Sequence, residues 1–391
     1  MSAHSHAKPA PLGGPLLNPV TLISGILIAV MAAILIVRFI YGLGAVTGLN
    51  DGYPWGIWVV VDVVIGSAFA CGGFSVAMLV YIFNKGEYHP LVRPALLASL
   101  FGYTLAGVGV IFDLGRWWNV WNMFWPGSSN VNSVMFEVAV CITLYILVMW
   151  IEFAPTFFEQ WGMDDKKRKL SKFMFAIIAL GTLLPMMHQS SLGTMLVVAG
   201  PQIHPLWQTP IQPALYLTSA ITMGFAVVLF ESCLASAAYR RSIEMHLLTP
   251  LAKVMLGMLA VFLALRVGDL VVRGAIGQAF GLSLETVMFW LEMICFIAPF
   301  FVVGSAEQRR NPARLFVAGV LLMLGGALLR LNGFLIGYET VIGADTSGPG
   351  YHYFPTLPEL LVTVGMFAIE VLGYIVITRR FPVLPRESAK A

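Results

Sequence analysis

Residues 19–41 read PVTLISGILIAVMAAILIVRFIY, an unbroken apolar run with a single charge, Arg38. At about 1.5 Å per residue, a helix of this length matches the roughly 30 Å hydrocarbon core of a bilayer. Nine more runs of this kind follow, at about 55–84, 91–115, 131–158, 170–198, 211–239, 250–272, 284–305, 313–337 and 356–380. Strands do not explain them, because a membrane barrel alternates apolar and polar residues over about ten positions. The reading is an all-α integral membrane protein with ten transmembrane helices.

Composition agrees. The chain has 391 residues, 58% hydrophobic and 11% charged, against roughly 25% charged in an average soluble domain. So few charges exclude a disordered chain and a coiled coil, and a net charge of +3 implies no nucleic-acid partner. The natural surroundings are membrane lipid. Cys71, Cys141, Cys233 and Cys295 are widely spaced and form no CxxC, so no disulfide framework, zinc site or iron–sulfur ligand set is expected; the chain is expected to bind no metal. The first run is too long for the core of a signal peptide and is not followed by a small-residue cleavage site before Arg38, so it reads as a retained helix.

Ten helices put both termini on one side. Of the 23 Lys and Arg, only Arg38, Arg116, Arg266, Arg273 and Arg330 fall towards the other side. The positive-inside rule therefore places both termini in the cytoplasm. The division is a cytoplasmic tail 1–18, a first helix and outer loop 19–54, a four-helix bundle 55–198, a second bundle 211–337, a last helix 356–380 and a cytoplasmic tail 381–391. The bundles read as parallel repeats: IFDLGRWW (111–118) and NSVMFEVAVCI (132–142) find echoes in LRVGDLVVRG (265–274) and ETVMFWLEMICFI (285–297). On that alignment His188 stands against Arg330.

An ionisable group inside a span costs at least about 2.5–3.5 kcal/mol and calls for a reason. Asp62, Glu137 and Glu292 are expected roughly 10 Å below the outer edge, at 1.5 Å per residue. Asp113 with Arg116, and Arg266 with Asp269, are three residues apart and could be structural pairs on their own helices. Glu137 and Glu231 lack a nearby base on their own helices and suit proton relay or a helix-bridging hydrogen bond. His188 follows Pro185 and opens the patch His188-Gln189-Ser190-Ser191, which reads as a cavity lining or as a core histidine satisfied by a carbonyl. The other histidines lie in tails, loops or helix edges, so bis-histidine haem is not expected. Tyr103 sits mid-helix between Gly102 and Gly107, facing a neighbouring helix or a ligand. The Trp-rich stretch 116–125 is denser than an interfacial belt needs. Two functions fit: a secondary transporter, which long unbroken helices disfavour, or a quinone-handling subunit exchanging electrons with an outer-face partner.

The stretches DGYPWGIW (51–58), FACGG (69–73), YHPLVRPALLASLFGYTLAG (88–107), DLGRWWN (113–119), NVNSVMFE (130–137), LPMMHQSSLG (184–193) and HPLWQ (204–208) resemble the NrfD/polysulfide-reductase membrane-anchor family. The branch they look like serves hydrogenase-2-type nickel–iron hydrogenases, and the resemblance runs from about residue 11 to 385. It implies a membrane subunit in the bacterial inner membrane that passes electrons to menaquinone or ubiquinone. The electrons would come from a ferredoxin-like iron–sulfur subunit and nickel–iron hydrogenase subunits on the periplasmic face. It further implies no haem, a quinone site of Asp62, Tyr103, Asp113, Arg116 and His188, and a proton route through Glu137, His188 and Glu231. The same architecture in molybdopterin enzyme complexes oxidises quinol.

Overall fold

The computed structural model describes residues 8–125, 127–338 and 353–385; parts of both expected tails, with His4, His6 and His352, lie outside them. Among the described residues ten helices are long and apolar enough to cross a membrane. They are α1 Pro19–Tyr41, α2 Trp58–Ile82, α3 His89–Asp113, α4 Val134–Gln160, α5 Met174–Ala199, α6 Gln212–Tyr239, α7 Met245–Val272, α8 Leu284–Val303, α9 Pro312–Ile336 and α10 Leu357–Arg380. Each lies within a few residues of its expected run.

The helix ends follow local chemistry. Asn18 caps α1 and shares a reciprocal capping box with Thr21, and Thr356 does the same for α10 with Glu359. Each side-chain oxygen takes an otherwise orphaned backbone N–H. Proline enters the first turn of α1, α3, α6, α9 and α10, where its missing N–H costs nothing.

The helices are not all continuous, contrary to the expectation from their apolar runs. In α2, wide π-helical turns at Trp58–Ile65 and Met78–Ile82 flank two short α segments, Gly66–Phe69 and Gly72–Ala77, which part at Ala70–Cys71. The end of α9 is also π-helical, Asn332–Ile336. Hydropathy sees only that a run is apolar, and a π-turn is equally apolar. Broken helices of this kind also occur in transporters, so helix continuity does not speak against a carrier.

α2 and α6 are the buried centre. They touch at Gly224, where a Cβ would come within 2.5 Å of the Cys71 carbonyl oxygen; only hydrogen fits there. One large core runs from α2 through α5 to α9, a second joins α3 and α4, and a third lies under α1 and α10 around Met31, Trp58 and Met366. α1 and α10 pack side by side at the periphery.

Candidate functional site

The break in α2 places Ser67 and Cys71 at the middle of the molecule. There they meet Tyr103 from α3 and His188 and Gln189 from α5, all without solvent exposure. The His188 ring stands edge-on to Tyr103, with centroids 5.7 Å apart, and Tyr103 stands edge-on to Tyr145 at 4.5 Å. His188 Nε2 lies 3.2 Å from Ser67 Oγ, and Gln189 Nε2 donates to the same oxygen at 3.0 Å. The Tyr103 hydroxyl is 3.9 Å from Cys71 Sγ. From α9, Arg330 donates to Gln189 Oε1 at 2.9 Å. Sequence reading singled out Tyr103 and His188, and they do meet. Alignment sets Arg330 against His188 as a counterpart, whereas the fold joins them through Gln189 and Ser67.

Asp62 and Asp113 belong to a separate outer cluster. Asp62 accepts from Thr363 of α10 at 3.3 Å. Asp113 lies within electrostatic reach of Asp62, Arg38 and Glu359. The expected Asp113–Arg116 pair does not form. α3 ends at Asp113, Leu114 turns extended, and Arg116 is exposed in the loop, so helical i,i+3 geometry is lost. Arg38 takes that place: fully buried, it donates to the Phe112 carbonyl at 2.7 Å and to the Leu114 carbonyl. Just outside the spans, Tyr353 donates to Glu359 at 2.7 Å and accepts from the Ile57 N–H. Burial, then the Glu359 charge, push its hydroxyl upward, so it stays a donor.

Glu137 does not lie deep. It opens the first turn of α4 and is exposed, because the helix starts at Val134 rather than near 131. Glu231 is in the inner half of α6, and it accepts from the Tyr374 hydroxyl of α10 at 2.5 Å. Glu370, one turn before Tyr374, lines a cavity of about 30 Å3 with Asp62, Gly66 and Gly102. A space of that size holds a water, not a ring.

The second half has its own buried cluster. Arg266 pairs with Glu292 at 3.2 Å, both fully buried, and Trp207 Nε1 and Asn332 Nδ2 also donate to Glu292, at 2.8 and 2.9 Å. Asp269 pairs with Arg273 at 2.7 Å. This corrects the expected Arg266–Asp269 pair: the two side chains point to different neighbours, and the partners of Arg266 come from another helix and from the 203–209 loop.

Residues 45–341 match the family model described as polysulphide reductase, NrfD. The chain belongs to the NrfD family. Its NrfD relatives are membrane subunits of oxidoreductase complexes. In Escherichia coli (strain K12), the protein named "Probable Ni/Fe-hydrogenase 2 b-type cytochrome subunit" is 45% identical over 96% of this chain and 95% of its own length. The menaquinone reductase integral membrane subunit of Nitratidesulfovibrio vulgaris is 26% identical, covering 89% of this chain and 87% of its own. The Hdr-like menaquinol oxidoreductase integral membrane subunit of Archaeoglobus fulgidus is 22% identical, with 88% of each covered.

The name of the Escherichia coli relative corrects one expectation. A b-type cytochrome subunit implies haem, against the reading of a haem-free chain. That reading rested on the family resemblance and on histidine positions, and the positions test only ligation by a pair of histidines. Such a pair does not form among the described residues. His188 Nε2 is turned to Ser67, His89 and His246 stand at the starts of α3 and α7, and His204 is in a loop. The residues present do not fit bis-histidine haem, and the steps assigned to this chain are those of its own side chains.

Proposed function

We propose that this NrfD-family chain is the quinone-reactive membrane subunit of a hydrogen:quinone oxidoreductase complex in the bacterial inner membrane, with both termini cytoplasmic. The observation that carries the reading is the meeting of Tyr103 and His188, from different helices, in one buried polar cluster. The likeness to a hydrogenase-2 subunit over nearly the whole chain supports the hydrogenase as electron source. The substrate is menaquinone or ubiquinone. Tyr103 Oη and His188 are the donors for its two oxygens. Neither has exposed surface, so a neighbouring helix must yield for the ring to enter.

Quinone reduction needs two electrons and two protons. Electrons enter from the outer face, where Trp118, Trp121 and Trp125 are exposed and suit a ferredoxin-like iron–sulfur subunit, itself joined to the nickel–iron subunits. Arg116, exposed beside them, fits that contact. Asp62, held by Thr363, and Asp113, within electrostatic reach of Arg38, belong to the outer wall of the site. Protons reach His188 from the inner side by way of Glu231, with Glu137 marking the outer end of α4. Uptake from the cytoplasm makes turnover electrogenic, at about 2.3 kcal/mol per charge per 100 mV.

The test uses the complex purified from native membranes and a short-chain naphthoquinone as acceptor. Tyr103→Phe and His188→Gln each remove one donor. Each is expected to lower kcat/KM for the quinone about tenfold or more, the effect of a lost buried hydrogen bond. Unchanged quinone kinetics in both variants would move the site elsewhere. Solute uptake by the chain alone in vesicles would favour a carrier instead, the reading that the broken α2 keeps alive.

A further inference from the structure

Arg330 is an unusual cation. It is fully buried, and among the described residues no carboxylate forms an ion pair with it. Its partners are neutral: Gln189 Oε1 at 2.9 Å, the Gly326 carbonyl at 3.1 Å, Ser219 Oγ and Met223 Sδ at 3.3 Å, and the face of Tyr216 at 4.9 Å. A buried charge without an anion is costly, so the useful question is what the charge orders around it.

A guanidinium can only donate. Gln189 must therefore turn its oxygen to Arg330 and its NH2 to Ser67, where the distance is 3.0 Å. Ser67 Oγ is then occupied as an acceptor, and its own proton is free to point at His188 Nε2, 3.2 Å away; the other acceptor in reach, the Val64 carbonyl, is at 3.4 Å. With Nε2 accepting, the imidazole carries its proton on Nδ1. A further observation agrees. The opposite nitrogen, Nδ1, is buried without a hydrogen bond and feels the Val138 backbone carbonyl of α4, an environment that favours N–H over a lone pair.

The geometry points to Arg330 as a positioning residue: through Gln189 and Ser67 it holds His188 as the neutral Nδ1–H tautomer, so that Nδ1–H is the donor offered to a quinone oxygen. The ligand in this statement rests on the function proposed above; the tautomer does not. The relay crosses from α9 to α5 and α2, so one residue of the second half sets the hydrogen-bond polarity of the site in the first half.

The test reads histidine 15N chemical shifts in the intact complex, with His188→Gln to assign the signal, beside KM and kcat for the naphthoquinone. Wild type should show a Nδ1–H ring. Gln189→Glu keeps the shape but reverses the relay. Its carboxylate accepts from both Arg330 and the Ser67 hydroxyl, so His188 must donate from Nε2. The ring should switch tautomer, and the quinone KM should rise about tenfold, one hydrogen bond's worth, with a smaller change in kcat. Arg330→Lys keeps a donor for Gln189 Oε1 and should retain the Nδ1–H signal. A wild-type Nε2–H ring, or a Gln189→Glu ring identical to wild type, would overturn the proposal. If Gln189→Glu does not assemble, Ser67→Ala decides: a mixed ring is expected, and a purely Nδ1–H ring would count against the relay. If the shifts behave as stated but wild type neither binds nor reduces the quinone, the functional reading falls and the positioning relay stands.

Discussion

Arg266 and Arg330 are both buried completely, and they are treated in opposite ways. Arg266 of α7 has a carboxylate, Glu292, whose remaining lone pairs are taken by Trp207 and Asn332. Arg330 of α9 has only neutral acceptors. The closed network around Arg266 holds the 203–209 loop against the second half of the molecule. The open one around Arg330 exports its polarity, through Gln189, into the cluster at Tyr103 and His188. A buried charge answered by a carboxylate fixes structure; one answered by orientable dipoles fixes the direction of hydrogen bonds.

The contrast can be broken by mutation. Arg266→Met strands Glu292 as a lone buried charge and should cost about 3–5 kcal/mol, read as a lowered thermal midpoint of the detergent-solubilised complex. Arg266→Met with Glu292→Met should recover much of the loss, and strictly additive losses would refute a coupled pair. Arg330→Met strands no anion and should cost about 2 kcal/mol, the net of a few hydrogen bonds to neutral groups. If it destabilises as much as Arg266→Met, the two sites do not differ in kind. Thr209→Val removes one donor from Asp269, 2.7 Å away, for about 1.5 kcal/mol. Arg168→Ala breaks an exposed pair with Asp165 at the surface and should stay within about 0.5 kcal/mol; a larger loss would show that exposed charges here matter more than buried ones.

Much of this was readable in advance. Ten apolar runs became ten helices within a few residues, because length and hydropathy alone decide what can lie in a bilayer. Tyr103 and His188 stood out because a polar residue in such a run needs a reason. The pairings were misjudged because i,i+3 reasoning sees one helix at a time. Arg266 found Glu292, Asp62 found Thr363 and Glu231 found Tyr374, all on other helices, and a single sequence carries no signal for such contacts. The break in α2 was equally hidden. Nothing in hydropathy separates a π-turn from an α-turn.

The two ends of the chain meet. The Ala10 N–H donates to the Leu384 carbonyl, and Leu12 and Gly13 donate to Thr378 and Arg379, each at 3.1 Å, while α1 and α10 lie side by side. In space the polypeptide is nearly a closed ring. α1 is therefore made well before α10, the neighbour it packs against. Until α10 arrives, Met31, Trp58 and the Asp62 carboxyl face lipid or a chaperone instead of Met366 and Thr363. A chain lacking residues 357–380 would leave that face of α1 without its partner helix.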